Sequence, residues 1–487
     1  MQDVDVIVVG AGPTGLAAAC GLLRQGVRVR VVDKASGPAS TSRANFLHAR
    51  GSEVLDRLGA LGDLPQRSVR AMKITTYLGD KPIMRIRFGD PGMHTAAPPM
   101  VISQAAVEAS LRDRVSQLGG EIEWRTPLVD LRQDAGRVTA VVGDGHEIGA
   151  SWLIGCDGAA STTRRLTHIG FPGVKLSERF LLADVHLDWD LDRSGTTGWI
   201  HQDGMIGVMP MPDDTDTLWR VIAYDPQQPS DDSTEPDILA RLHRILPERT
   251  GREVRITDAE WLSMFSVHRR LADSYRHGRV LLAGDAAHTH APFGGQGMLT
   301  GLGDAENVAW KLALVVNQRA DAALLDSYER ERRPLATEVL RSTSAVTKVN
   351  VAQRRFGRFV RDRLVVPLVN LPVVQRWVTY QTSQLWVSYR RGPLAERSLP
   401  FRKPRPGDRV PGLSGTDLQG GWGLFSEDAS LQKVATARLG EHVTVLAHGS
   451  DSGAILVRPD GHLAWRGDEP TGLDRWLHRA LDTGTVR

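Results

Sequence analysis

The segment Val4 to Asp33, VDVIVVGAGPTGLAAACGLLRQGVRVRVVD, constrains the fold more than any other part of this chain. Val6 to Val9 is a short apolar run of the kind that forms a buried strand. Gly10, Gly12 and Gly15 follow on the spacing G-x-G-x-x-G, with Pro13 and Thr14 between them, and a helical pattern runs to about Gln25. Val27 to Val32 reads as a second strand, ending on Asp33. Each part has a physical role in holding a dinucleotide. Gly10 permits a tight turn, Gly12 lets a pyrophosphate approach the backbone, and Gly15 lets the helix sit close to the strand. The free N–H groups of the helix N-terminus face the phosphates. Asp33 stands where a carboxylate accepts hydrogen bonds from an adenosine ribose.

Composition narrows the class. A chain of 487 residues supports two or three domains and a large core. A net charge of +3, from 60 basic and 57 acidic residues, gives no reason to expect nucleic acid as a partner. The cysteines Cys20 and Cys156 lie far apart, which argues against a disulfide framework, a CxxC redox centre or a cysteine zinc site. No basic-then-apolar leader opens the sequence and no apolar run is long enough for a bilayer span, so a soluble cytoplasmic protein is expected.

Beyond Asp33, Ala35 to Ser42 reads as a loop, and Arg43 after it is placed to touch phosphate or flavin. Helices are expected over Ala49–Leu58 and Ser103–Leu118, the second with Gln104 at its start, facing a ligand or capping the helix. Strands are expected at Ile74–Tyr77 and Ile83–Phe88, as a hairpin outside the first domain, then around Ile122, Leu128 and Val138. WLIGCDGAASTTRR, Trp152 to Arg165, reads as a strand entering a Cys-Asp-Gly turn and a polar helix start. From Gly173 to about Ile256 the alternation becomes that of an antiparallel sheet inserted into the nucleotide domain. Its Trp199, His201, Met205, Met209, Trp219 and Tyr224 are core residues or the lining of an apolar pocket for a planar substrate.

GRVLLAGDAAHTHAPFGGQGMLTGLGDAENVAWKL, Gly278 to Leu312, is the second strong signal. Asp285 follows the strand Val280–Ala283 and is placed to accept hydrogen bonds from a sugar-alcohol chain. Pro292, Gly294, Gly295 and Gly297 form a loop whose backbone can approach a ring, and the next helix offers its positive dipole end to negative charge there. His288 and His290 read as structural, with no third metal ligand beside them. Asp326 to Val349 reads as a helix. Ala352 to Tyr389 is basic and partly apolar, and is expected to cover the flavin domain with a solvated basic face rather than to lie on a membrane. After a Pro/Gly-rich boundary at Arg402–Gly420, strands are expected at His442–Ala447, Ala454–Arg458 and His462–Trp465, then a last helix through Leu473, Trp476 and Leu481.

GAGPTG with Asp33, GCDGAASTTRR and LLAGDAAHTHAPFGGQGM, in that order, resemble the three FAD-contacting motifs of class A flavoprotein monooxygenases, the family of para-hydroxybenzoate hydroxylase and phenol hydroxylase. The run QTSQLWVSYRRGPL and a tail containing ILVRPDGHLAW resemble the branch acting on aromatic polyketides and related antibiotics. The resemblance implies an α/β fold: a Rossmann-like FAD-binding domain (1–72, 101–172 and 269–345), an inserted antiparallel-sheet substrate domain (73–100 and 173–268), a helical connector (346–400), and a C-terminal thioredoxin-like domain (401–487) without CxxC.

It also implies site residues. Gly10, Gly12, Pro13, Thr14 and Gly15 would hold the pyrophosphate, and Asp33 with Lys34 the adenosine ribose. Arg43 and Gln104 would contact phosphate and ribityl atoms, and Leu128 would pack near the adenine. Asp157 and Arg164 match a motif tied to FAD and the nicotinamide, and Gly284 and Asp285 match the ribityl site. Pro292, Phe293, Gly295, Gln296, Gly297, Met298 and Leu299 match the loop beside the flavin's pyrimidine edge. The family usually has Asn where this chain has Leu299, so a side-chain contact to the flavin is expected to be lost while the backbone N–H remains.

The implied reaction is reduction of FAD by NADPH or NADH, formation of a C4a-hydroperoxide with O2, and transfer of one oxygen atom to a polycyclic phenol or quinone. The rivals are Baeyer–Villiger oxygen insertion, an oxidase or reductase, and a drug-sequestering binder. His186, His201, His268 and Tyr224 are candidates for deprotonating a phenol. The expected partners are the aromatic substrate, O2 and NAD(P)H, with no nucleic acid, no stable membrane association, and a monomeric or homodimeric state.

Overall fold

The computed structural model describes residues 4–39, 44–69, 73–87, 94–225, 234–290, 295–350, 363, 366–396, 403–447 and 453–482, without the side chains of 87, 176–178, 342–350, 366 and 369. One sheet runs in the order Arg276–His277, Val280–Leu282, His146–Gly155, Val4–Val9, Val29–Val32, Ile122–Glu123, with Val138–Val142 and Leu128–Gln133 joined to it through His146–Gly155. Five of these strands are parallel: Val9 stands beside Val32 and Gly155, Gly155 beside Leu282, and Val32 beside Glu123. Their apolar runs are buried because helices cover the sheet. The Pro13–Leu23 helix packs against Gln296–Val316, and Gly21 makes this possible, since a Cβ there would come within 2.7 Å of Ala309 Cβ.

The second sheet has the order His288–Thr289, Arg255–Leu271, Gly173–Asp188, Leu218–Tyr224, Gly204–Pro210, Gly195–His201, Lys73–Leu78, Lys81–Arg87. It is antiparallel except where Gly195–His201 runs parallel to Lys73–Leu78. The hairpin expected near residues 74–88 is therefore the far edge of this sheet. The Glu235–Thr250 helix, opened by a Thr234/Asp237 capping box, covers one face. Strand parity sorts the side chains. Trp199 pairs with Ile206 and Ile206 with Ala223, and all three lie under that helix with Trp219, Val221 and Leu242. Met209 pairs with Arg220, so Met209, Arg220, Ile222 and Tyr224 share the opposite face.

The last region has a four-stranded sheet, Val443–Leu446, Trp422–Phe425, Ala454–Val457, Leu463–Gly467, parallel in its first pair and antiparallel in the others. The helices Ala429–Leu439 and Pro470–Leu481 enclose its core. Its elements follow the order βαβ–ββα. The Trp422–Phe425 strand and the Ala429–Leu439 helix were not anticipated. The helix start has a local signal, Asp428, whose carboxylate accepts from Ser430 N at 2.7 Å.

Candidate functional site

Three turns that lie more than a hundred residues apart in sequence meet at the carboxyl ends of three adjacent parallel strands. Cys156 N donates to Val9 O at 2.7 Å, Ala283 N to Gly155 O at 3.0 Å, and Gly10 N to Val32 O at 2.8 Å. Ligands of open α/β sheets bind at this edge. The glycines divide the work as their spacing suggests. Gly10 has φ +105°, and a Cβ there would lie 2.5 Å from Cys156 O. A Cβ on Gly15 would collide with Gly10 O, whereas one on Gly12 would meet nothing within 4 Å. Two of the three glycines are thus needed by the protein itself, and the third leaves space. Pro13 is in the first turn of the helix, where its missing N–H costs nothing. Thr14 is held between two other glycines. A Cβ on Gly284 (φ +63°) would lie 2.5 Å from Thr14 Oγ1, and one on Gly301 would strike the same oxygen.

The acidic residues at these turns differ in their commitments. Asp33 accepts from Ala11 N at 2.6 Å and from Ala35 N at 2.7 Å, so it closes the first turn as well as facing outward. A carboxylate has about four acceptor sites, which leaves capacity for a ligand. Asp157 is spent within its own turn, accepting from Thr163 N at 2.9 Å and from the Ser161 and Thr163 hydroxyls. Arg164 is buried and donates to Ala286 O and Ala159 O, both at 2.8 Å, with its guanidinium 3.7 Å from the Phe171 ring centre. It ties the Cys-Asp-Gly turn to the Gly-Asp-Ala turn. Asp285 is the exception: it is exposed, between buried Gly284 and Ala286. Lys34 is exposed beside Asp33. Leu128 is buried against Val9, Val32 and Ile148 on the sheet. Gln104 is not the cap of its helix. Ser103 accepts from Ala106 N, and the Gln104 amide donates to Glu108 Oε1 at 2.7 Å.

The Gln296–Val316 helix starts at Gly295, which has φ +61°, and among the described residues no side chain caps it, so its first N–H groups are suited to an anion. Gly297 lies beside the His290 ring, at 3.8 Å from an added Cβ. Gln296, Met298 and Leu299 are buried. The Leu299 side chain fills space against Gly51 and, with Val54, Gly303 and His462, lines a small internal cavity toward the C-terminal region. Arg43, Pro292 and Phe293 lie outside the described residues.

Behind this cradle runs a seam of buried charge that sequence reading missed. Asp304 accepts from Gly284 N at 3.1 Å, His288 Nε2 at 2.6 Å and Arg332 Nε at 2.7 Å. Burial alone would raise its carboxyl; the His288 and Arg332 charges outweigh that and hold it below its ordinary range. His288 is thus structural, as expected. Arg332 also donates to Thr300 O and Tyr389 OH. Further along the helix, Arg57 pairs with Glu306, and Glu331 accepts from Lys311, Asn307 and Arg458 at 2.8 Å each. Against its burial, Arg458 and Lys311 keep Glu331 at about 2. Arg458 also binds Asp460, which accepts from Trp310 Nε1, and burial pushes neighbouring His462 down to about 4.

The second sheet faces the cradle through its Met209 surface. Asn45 Nδ2 donates to Met209 Sδ at 3.5 Å and to Met211 Sδ at 3.4 Å, and neighbouring Phe46 and His48 lie against Gly295. Tyr224 is on this surface, packed with Phe180, Phe265 and Met205. A bidentate ion pair, Arg220 to Asp184 at 2.6 and 2.5 Å, is buried here too. Trp199 and Trp219 are not on this surface. They pack against Trp189 beneath the Glu235–Thr250 helix, one tilted and one edge-on, at 6.0 and 5.4 Å between ring centres. His201 shares their parity and lies at the hairpin turn, 3.4 Å from Asp203. Their assignment to a substrate pocket is corrected. His186 is held at a strand end by Thr217 and Glu260, and His268 lies beside Lys175 and Arg270.

Residues 3–343 match the family described as FAD binding domain, and 415–484 match aromatic-ring hydroxylase, C-terminal. The chain is 34% identical to rifampicin monooxygenase of Streptomyces venezuelae, over 96% of this chain and 97% of that one. It is 33% identical to 6-methylpretetramide 4-monooxygenase of Streptomyces rimosus, over 94% and 86%. The structure resembles anhydrotetracycline hydroxylase of Streptomyces rimosus with a TM-score of 0.80 at 30% identity, over 99% of both chains. It also resembles aklavinone-11 hydroxylase solved with FAD and aklavinone, with a TM-score of 0.80 at 28% identity, over 99% and 100%.

Proposed function

The chain belongs to the family of FAD-dependent aromatic-ring monooxygenases, and from that premise we propose that it consumes NADPH or NADH and O2 to hydroxylate a polycyclic phenol or quinone. The observation that carries this reading is the convergence of the three turns. At their meeting point Gly12 leaves open space, Asp285 is exposed, and among the described residues no side chain caps the helix beginning at Gln296. The donor set fits FAD along its length. Gly12 and the start of the Pro13–Leu23 helix receive the pyrophosphate, and Asp33 and Lys34 the ribose. Asp285 receives the ribityl hydroxyls, and the backbone at Gly295–Leu299 the pyrimidine edge.

When bound, FAD supplies the two-electron chemistry with the nicotinamide and the activation of O2. The protein's share is binding, charge and exclusion. The N-terminal dipole of the Gln296–Val316 helix stabilises negative charge on the ring's pyrimidine edge. Asp304 fixes the Gly284 turn against that helix, so the carboxylate of Asp285 and the helix N–H groups keep one relative position. The Met205, Met209 and Tyr224 surface offers a planar aromatic substrate an apolar wall that keeps water out. The Tyr224 hydroxyl is the group on that wall suited to a proton transfer with a phenol.

The test is NADPH and NADH oxidation by the yellow protein in air, with a panel of polycyclic phenols and quinones, product masses and peroxide being read together. The reading requires substrate-stimulated oxidation and a product heavier by one oxygen atom. Product structure then separates ring hydroxylation from insertion beside a ketone. Peroxide alone across a wide panel would indicate an oxidase, and ligand binding without NAD(P)H consumption would indicate sequestration. Asp285→Ala should weaken FAD binding about tenfold to a hundredfold, the range for hydrogen bonds to a charged group; unchanged affinity would remove Asp285 from the cradle.

A further inference from the structure

Residues 351–362, which carry most of the arginines of the basic stretch Ala352–Tyr389, lie outside the described residues, and the helices Val366–Val369 and Pro372–Thr382 follow them. The two helices pack on Lys81–Arg87, the edge strand of the second sheet, where the Asn370 amide bonds Arg85 N and Ile83 O. Their outer side is apolar. Of the eight large apolar side chains exposed among the described residues, five fall between Leu368 and Tyr380. Val373, Trp377 and Tyr380 follow the spacing i, i+4, i+7, which is one stripe of a helix, while Thr379 on the inner side is buried. Val373 is 79% exposed and Trp377 59%, values at odds with a surface that water alone is meant to cover.

Arginine predominates around the stripe: Arg409 and Arg390 act on Tyr380, together with the carboxylate of Asp408. Arg85, Arg363 and Arg376 are exposed around it, and no carboxylate occurs from Arg363 to Tyr380. The sequence from Arg354 to Tyr380 carries six arginines against one aspartate. A second copy of this chain is a poor occupant, because two-fold pairing would set these arginines against each other. An apolar stripe with Trp and Tyr, ringed by arginine, fits an anionic lipid surface. There the rings enter the headgroup region and the guanidinium groups meet phosphate. No helix among the described residues is long and apolar enough to cross a membrane, so the contact would be peripheral.

We propose that the Leu368–Tyr380 stripe is a docking surface for anionic phospholipid, replacing the expectation of no stable membrane association with a reversible one. The contact is independent of the reaction and holds for apo and FAD-loaded protein alike. The test is sedimentation of the full chain with phosphatidylcholine vesicles and with vesicles containing phosphatidylglycerol. The protein should pellet with the anionic vesicles only, and release as salt rises. Trp377→Ala should weaken partitioning about tenfold and Arg376→Gln about fivefold. Both positions are exposed, so neither change threatens folding, and far-ultraviolet circular dichroism checks this. Three results would overturn the proposal: protein remaining in the supernatant with anionic vesicles, variants that bind like the parent, or a vesicle-free dimer that Val373→Asp splits. The last would give the stripe to a second copy.

Discussion

The two faces of the second sheet are built from similar residues for different ends. The face under the Glu235–Thr250 helix holds Trp199 and Trp219 against Trp189, with Val221, Ile206 and Leu242 closing around them. The face toward the cradle holds Met205, Met209 and Tyr224, and a buried Arg220–Asp184 pair. The first is close-packed and apolar throughout. The second combines adaptable thioether, an aromatic hydroxyl and fixed charge, which is the composition of a surface that receives something. Aromatic content does not separate the two. Strand parity does.

That contrast can be broken by substitution. Trp199→Ala should cost the most, about 3–5 kcal/mol of stability from lost burial and a cavity, read from urea unfolding, while KM of the surviving folded fraction stays within about twofold. A large KM effect with full stability would move Trp199 to the ligand side. Arg220→Met should cost about 3 kcal/mol, because Asp184 is left buried without a partner, and Asp184→Leu added to it should recover most of the loss. If the double variant is as stable as the parent but turns over poorly, the pair positions substrate. Met209→Ala should cost only about 1 kcal/mol but raise KM about fivefold or more, the reverse of the Trp199 outcome.

The smallest effect concerns pH and contrasts the sheet with the charged seam. His462 is held at about 4, against an ordinary value of 6.5. Between these values the unfolded chain takes up a proton that the folded chain refuses, so stability falls as pH drops from about 6.5 to 4. Thermal melts should show that slope, and His462→Gln should flatten it without altering the Trp199 comparison.

Much of the cradle could be read in the sequence because its constraints are local. The roles of Gly10, Gly12 and Gly15 follow from their spacing, and the helix expected over Ala49–Leu58 has those bounds in the structure. The pocket set failed on a point the sequence itself held. Trp219 and Tyr224 are five apart on one strand and cannot share a face. The turn residues Asp157 and Arg164 were recognised as important, but their hydrogen bonds close on the protein, and a motif does not reveal that. The charged seam was invisible for a different reason. Arg57 and Glu306 are 249 positions apart, and Arg458 and Glu331 are 127 apart. Each alone looks like an ordinary surface charge.

The seam also bears on how this chain can be altered by recombination. Its C-terminal region matches a family description of its own, which suggests a part that could be exchanged among relatives. The hydrogen bonds forbid a free exchange. Arg458 and Asp460 reach back to Glu331 and Trp310, and Asp460 O accepts from Arg50, so each half carries charges whose partners are inherited with the other. A graft that brings a new tail without its matching arginine leaves Glu331 in the interior with Lys311 and Asn307 but without the two guanidinium bonds of Arg458. The two halves are therefore expected to descend and to be engineered as one unit, with compatible tails being those that restore the same lock.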